Sequence, residues 1–288
     1  MDEFVAVANA GSFSGGARTL STSATRMSRV IAQFETRLQA QLFDRTTRTV
    51  VLTDTGRAIL EQCRRILQER DDVLASINEQ GEPQGELRVT CSTAMGEQFV
   101  APILRRYAMT HPKLSVTMIF TNRIVDLVAE GYDLAIRTGQ LPDSRLIRTR
   151  VAYRTLLTCA SPDYLERTDK IEAVADLSNH ECLIGTANTW RFRDKGKDII
   201  HKPKGRLRCN NGSAVLEAAL AGMGICQLPE FYVQQSLKDA RLNLILDDFR
   251  PEREPIWAVY PQRRHLSPRV QGAVNALRRE LANTITSS

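Results

Sequence analysis

No lysine precedes Lys113; apart from His111, every basic side chain before it is arginine. Arginine's planar fork suits two-bond contacts to bases and phosphates, although genome composition alone also produces such a bias. The chain has no run of about 18 apolar residues, and its acidic first residues lack the basic-then-apolar order of a secretory leader. A membrane or secreted role is therefore not expected, and the expected location is cytoplasmic. The six cysteines, at 63, 91, 159, 182, 209 and 226, contain no Cys-x-x-Cys pair and fit no common zinc spacing. They read as buried, reduced thiols. The four histidines, His111, His180, His201 and His265, are scattered. With no nucleophile elbow, phosphate loop, metal motif or paired His–carboxylate, an enzyme on this scaffold is disfavoured, and no cofactor or metal is expected.

What is present is 288 residues with 42% hydrophobic and 25% charged side chains, enough chain for two or three domains. A net charge of +6 mildly favours an anionic partner. Residues 1–58 hold seven Arg against five acidic side chains, so charge is weak support there and pattern carries the argument.

The pattern is densest between residues 13 and 56. Ala24, Met27, Ile31, Phe34 and Leu38 recur at intervals of 3, 4, 3 and 4, one stripe of a helix. The opposite face carries Thr22, Thr25, Arg26, Arg29, Gln33 and Thr36, side chains able to bond guanine, adenine or a thymine edge. An ordinary solvated surface helix fits the same stripe. Upstream, residues 4–10 form an apolar helix fragment, and residues 14–20 a second short helix capped by Ser12 or Ser14. Ser21 and Thr22 form a tight connection, and Ser23 is the expected N-cap of the third helix. Two short helices joined by a tight turn, the second polar outward, form the arrangement that enters a DNA groove. Downstream, residues 42–52 read as a basic hairpin whose Arg45 and Arg48 reach phosphates.

Thr53 is the expected cap of a long helix of about 26 residues, close to 40 Å. Ile59, Cys63, Ile66, Arg70, Val73 and Ile77 recur as a coiled-coil seam interrupted by Arg70. Such a seam pairs with a second chain or docks on its own domain; the length favours the former. Residues 78–85, rich in Gly and Pro, read as a hinge. Beyond 86 the chain alternates strands (87–91, 114–120, 134–136, 155–160, 207–209, 225–228, 256–260) with helices (97–110, 124–130, 213–221 and about 267–282). This predicts an α/β domain of mainly parallel sheets. Small ligands bind at the carboxyl ends of such strands. Three loops there stand out, at 91–96, 137–139 and 209–213; turn and cap chemistry is the alternative reading of each.

The strings GSFSGGARTLSTSATRMSRVIAQFE and LFDRTTRTVVLTDTG resemble the LysR-type transcriptional regulators. Further likeness lies in VDLVAEGYDLAIRTGQLPDS, NNGSAVLEAALAGMGICQLP and YPQRRHLSPRV, which look like the co-inducer domain of the CrgA-like subgroup. The resemblance implies an N-terminal winged helix-turn-helix (1–53), a linker helix and hinge (54–85), and a two-lobed α/β effector domain like a type 2 periplasmic binding protein (86–288). Lobe one would hold about 87–159 plus 261–288, and lobe two about 160–260. It implies DNA contacts from Ser23, Thr25, Arg26, Ser28, Arg29, Gln33, Arg45 and Arg48. A small-molecule effector would sit among Ser92, Thr93, Arg137, Thr138, Asn210 and Asn211, with Trp190 and Phe192, on a segment that reads as a loop over 186–198, as an apolar wall. Implied partners are promoter DNA, a second copy in a homodimer or homotetramer, and RNA polymerase. A cysteine-oxidation switch on the same scaffold, and a small-molecule binding module without DNA function, are the alternatives. The second leaves residues 1–58 unexplained.

The sequence departs from the family pattern at several positions. Phe34 stands where Leu is usual. Gly16 stands where Ala is usual, at a helix cost of about 1 kcal/mol. Gln39 replaces the Gly expected past the third helix, where a left-handed cap favours glycine. Arg26 takes the place of a small residue, which points to a sequence preference particular to this protein. Only three residues precede Phe4, which implies a short first helix or a start upstream.

Overall fold

The computed structural model describes residues 1–45, 50–76, 82–123, 125–139, 146–262 and 266–286, excluding the side chains of 45, 68–69, 72–76 and 286. They divide into two compact units, residues 1–82 with 128–131, and residues 83–127 with 132–288.

The first unit begins with helices α1 (Asp2–Ala10), α2 (Phe13–Thr19) and α3 (Ala24–Leu38). Strands β1 (Phe43–Arg45) and β2 (Val50–Leu52) pair antiparallel, and α4 (Asp54–Ser76) follows. The expected caps form. The Gly15 N–H donates to Ser12 Oγ at 3.0 Å, Arg26 N–H to Ser23 Oγ at 3.2 Å, and Gly56 N–H to Thr53 Oγ1 at 2.9 Å. Met27 and Ile31 on the α3 stripe are buried with Phe4, Val7, Leu42 and Phe43, whereas Leu38 at its end is 39% exposed. Two phenylalanine edges close this small core, Phe4 and Phe13 each meeting Phe43 at 5.4 and 6.0 Å.

The α4 seam splits between two roles. Leu60 and Cys63 join the first unit's own core, and Ile59 packs against it. Ile66 is 49% exposed. Arg70 interrupts the apolar spacing because it pairs with Asp2 of α1 at 2.8 Å. Burial is the largest single influence on Asp2 and raises its pKa, but the Arg70 hydrogen bond and charge, a backbone hydrogen bond and the N-terminal charge together outweigh it and hold that carboxyl below its ordinary range. Val73's side chain, Ile77 and most of the expected hinge lie outside the described residues.

The second unit holds two larger sheets and a separate two-stranded hairpin. From β3 (Gly85–Cys91) the chain enters a continuous helical run of α5 (Thr93–Met95), a π-helical turn (Gly96–Val100) and α6 (Ala101–Met109). Next come β4 (Leu114–Phe120), β5 (Leu134–Thr138), β6 (Leu146–Arg154) and β7 (Leu156–Ala160). Then follow α7 (Pro162–Glu166), β8 (Cys182–Leu183), and a hairpin of β9 (Trp190–Asp194) and β10 (Lys197–His201). Helix α8 (Gly212–Leu220), β11 (Ile225–Pro229), α9 (Glu230–Lys238) and β12 (Asn243–Leu244) precede β13 (Glu254–Pro261) and α10 (Pro268–Thr286). Strand order is β4-β3-β5-β13-β6 in one sheet and β12-β7-β11-β8 in the other.

Several expectations change. The sheets are mixed rather than mainly parallel: β3 pairs parallel with β4 and β5, but β13 is antiparallel to both its neighbours and β11 is antiparallel to β7. The antiparallel pairs arise because one connection enters the second lobe and another returns. Strand β7 lies in the second sheet and β13 in the first, so the chain crosses at Thr155 and returns before Glu254, earlier each time than the lobe limits drawn from sequence. The helix expected over 124–130 is a turn at 127–131 closed by Tyr132 N–H to Leu127 O at 2.8 Å; Ile124 lies outside the described residues. The strand expected over 207–209 is reduced to one bridge, Ile184 with Arg208. The segment read as a loop over 186–198 contains the β9–β10 hairpin. Trp190 and Phe192 on it are 2% and 1% exposed, packed with Tyr164, Leu177 and Ile225. They are lobe core, not a cleft wall, because alternation along β9 points both at the interior.

A buried polar cluster braces the first sheet. Arg269 faces Asp133 at 3.7 Å with both side chains under 10% exposed, and the Tyr107 hydroxyl donates to Arg269 O at 3.1 Å. Burial pushes the Tyr107 phenol up to about 12 against the opposing pull of the Arg269 charge.

Candidate nucleic-acid interface and effector cleft

On α3 the capped N-terminus and the buried Met27 and Ile31 fix which face turns outward. Thr25, Arg26, Arg29 and Gln33 all lie exposed on that face. Ser23 is exposed, but its Oγ serves the cap; Ser28 is half-buried. The Thr36 hydroxyl turns back to Ala32 O at 2.8 Å. Arg45 ends β1, with its side chain outside the description, and Arg48 lies outside the described residues.

One residue that the sequence reading left without a role anchors the wing. Glu35 Oε1 accepts from Leu42 N–H at 2.8 Å and Phe43 N–H at 3.2 Å. A carboxylate on the third helix thus fixes where the hairpin leaves it. Its signal was the Glu of the helix motif, preserved beside Phe34. Gln39 takes the left-handed backbone (φ 52°, ψ 35°) that the missing glycine would adopt more readily.

In the second unit, three strands of the first sheet end together. Ser92 and Thr93 follow β3, Thr121 and Asn122 follow β4, and Arg137 and Thr138 close β5. The half-buried Arg137 donates to Thr121 O at 3.2 Å and Thr90 Oγ1 at 3.4 Å. Asn122 joins both lobes: its Oδ1 accepts from Thr93 N–H at 3.1 Å, while its Nδ2 donates to Asn210 O at 2.5 Å. Asn211 caps α8, accepting from Ser213 N–H at 2.9 Å, so its side chain does structural work. Thr93, Arg137 and Asn210 are thereby brought into one network, whereas Ser92 and Thr138 flank it. Asn122 was missed by the sequence reading; its position directly after a parallel strand was the available signal. Two open hollows lie elsewhere, about 810 Å³ beside α3 and about 560 Å³ along β6 and α10. Neither includes these residues, so hydrogen bonding, not those hollows, identifies the strand-end set.

Five of the six cysteines are buried. Burial pushes the Cys91 and Cys159 thiols up to about 12 and Cys182 to about 11, and raises Cys226 well above its ordinary value. Cys159 and Cys226 face one another across β7 and β11. Among the described residues no group of three His, Cys, Asp or Glu side chains could hold a metal ion, and no helix is long and apolar enough to cross a membrane.

Comparison with known proteins agrees with this geometry. Residues 1–57 match the bacterial regulatory helix-turn-helix protein, lysR family, and residues 80–282 match the LysR substrate binding domain. The HTH-type transcriptional activator AaeR of Escherichia coli is 31% identical over 284 residues, covering 96% of this chain and 91% of its own. The HTH-type transcriptional regulator PtxR of Pseudomonas aeruginosa is 32% identical, with 96% and 91% covered. Among solved structures, CrgA, a LysR-type transcriptional regulator from Neisseria meningitidis, is 26% identical with a TM-score of 0.56, covering 99% of this chain and 96% of that one. Full-length AphB of Vibrio cholerae, 22% identical with a TM-score of 0.60 and 96% of each chain covered, shares the fold. With both of its units matched and relatives along nearly its whole length, the chain belongs to the LysR family of bacterial transcriptional regulators, built from an N-terminal helix-turn-helix and a C-terminal LysR substrate-binding domain.

Proposed function

We propose that residues 1–53 read operator DNA, that 54–85 link and dimerise the chain, and that 86–288 hold a small polar or anionic effector between two lobes. Thr25, Arg26, Arg29 and Gln33 contact base edges, and Arg45 and Arg48 contact phosphates to set register. Exposed Ile66 on α4 supports pairing with a second copy, in a homodimer or a dimer of dimers. The regulator then acts on RNA polymerase from the promoter. No cofactor or chemical turnover enters this scheme.

The observation that carries the effector reading is Asn122, whose side chain spans Thr93 of one lobe and Asn210 of the other. A ligand that replaces this bridge with its own contacts changes the lobe equilibrium only through unequal affinity for the two arrangements, typically about 1–3 kcal/mol of coupling. Switching by the effector is favoured over switching by cysteine oxidation because five thiols are buried and four of them carry strongly raised pKa values, while oxidation needs an accessible thiolate.

The test is fluorescence anisotropy with duplex DNA from immediately upstream of the gene, against scrambled competitor at a fixed ~150 mM salt. Binding that survives the scrambled competitor is expected. Arg29→Ala weakens it by about 1–3 kcal/mol and relaxes sequence preference. Unchanged affinity and preference in that variant would defeat the assignment.

A further inference from the structure

We propose that the β9–β10 hairpin and the chain that follows it form a second DNA-binding surface, one that holds duplex phosphates without reading sequence. Residues 191–208 carry four Lys and four Arg against only Asp194 and Asp198, a formal +6 equal to the net charge of the entire chain. Everything else sums to zero. Residues 1–82, which contain the reading head, hold ten Arg against eleven acidic side chains.

The fold turns this charge outward. Trp190 and Phe192 are sunk in the lobe core, so the alternate positions Arg191 and Arg193 lie on the opposite face of the ribbon. All the basic side chains of the segment are exposed except Arg193, which is half-buried. Compensation is scarce. Arg193 pairs with Glu252 and Arg208 bonds Asn188, but Lys195, Lys197, Lys202 and Lys204 have no carboxylate partner among the described residues. Such crowding of like charge is unfavourable in the free protein and is relieved by a polyanion.

Three points select duplex DNA as that polyanion. The family binds DNA, so a duplex held by the helix-turn-helix is linked to this surface through one chain, at high effective concentration. Arg191 and Arg193, two positions apart on the outward face of β9, recur at about 6.7 Å, near the separation of successive phosphates along one DNA strand. Four of the six cations without a side-chain partner are lysines on flexible stems, suited to phosphates as point charges rather than to the two-bond reading of bases.

The test uses the full chain, a duplex of scrambled sequence about six helical turns long, and anisotropy titrations across a salt series. Replacing the four lysines together (Lys195→Gln, Lys197→Gln, Lys202→Gln and Lys204→Gln) is expected to reduce the salt slope by about 2–4 and weaken binding at least tenfold at low salt. The thermal midpoint should hold or rise, because like-charge crowding is relieved, and the Arg29→Ala effect on sequence preference should persist in this background, which keeps this proposal separable from the operator assignment. Asp198→Asn removes an exposed opposing charge and should tighten binding two- to threefold, a gain that misfolding does not produce. Wild-type slope and affinity in both variants overturn the proposal. So does a result in which the quadruple variant loses binding only to anionic vesicles or polyglutamate, since the surface then serves another polyanion.

Discussion

At Gly16 a helix-propensity argument and a packing argument give opposite signs. In isolation the glycine costs α2 about 1 kcal/mol relative to alanine. In the fold, a Cβ there would meet Val7 Cγ2 at 2.8 Å and Val7 N at 2.9 Å, and the second of these is backbone that cannot turn aside. Gly16→Ala is therefore expected to destabilise the first unit by about 1–3 kcal/mol, read by urea unfolding, because overpacking outweighs the propensity gain. A stabilised variant would show that α1 and α2 have room to separate. The residue type was legible as a departure from the family pattern, but its sign was not: propensity is local, and the clash comes from a helix nine residues back in the chain. Gln39 is the converse. Its left-handed backbone follows from its place past α3, and the structure puts it there.

At the scale of elements, Glu35 ties helix to wing. Glu35→Ala strands the N–H groups of Leu42 and Phe43 and should cost about 1–3 kcal/mol, with non-specific DNA affinity falling as the hairpin loses its fixed exit. A variant of unchanged stability would mean that water replaces the carboxylate freely. The hairpin of the second lobe gives a pH effect. His201 packs near Trp190, and its Nε2 is buried without a hydrogen-bond partner among the described residues. Burial, and then the Lys204 charge, lower its pKa below the ordinary 6.5. The unfolded chain therefore takes up this proton first. Stability held above 6.5 is lost as pH falls through the lowered value, so the thermal midpoint should drop over that window and His201→Gln should flatten the drop. An equally steep profile in the variant would move the cause elsewhere.

For the whole molecule, two strand crossings join the lobes, and Arg154 and Glu254 clasp them where β6 ends and β13 begins, at 2.7 Å. Cysteine chemistry belongs to this scale as well, because it depends on the intact fold. In native protein, a thiol reagent should react promptly with about one group, Cys209, which alone is half-buried, and with the other five only on unfolding. Several fast thiols in the native state would restore oxidation as the switch. Peroxide treatment should correspondingly leave DNA affinity unchanged.

The sequence by itself determined everything that repeats locally. The stripe of Met27 and Ile31, the caps at Ser23 and Thr53, and part of the alternation of strands and helices beyond residue 86 are set by neighbours within a few positions. The exposed face of α3 followed from the same periodicity. Only the tertiary structure decided what distant segments do to one another. It turned Trp190 and Phe192 inward, made the sheets mixed, and brought Asn122 to Asn210 across 88 positions. It also turned outward the positive charge that residues 191–208 already carry together in the sequence. The reason is physical: backbone periodicity is a property of a short segment. Burial, strand direction and hydrogen bonding between loops depend on which surfaces the folded chain closes together.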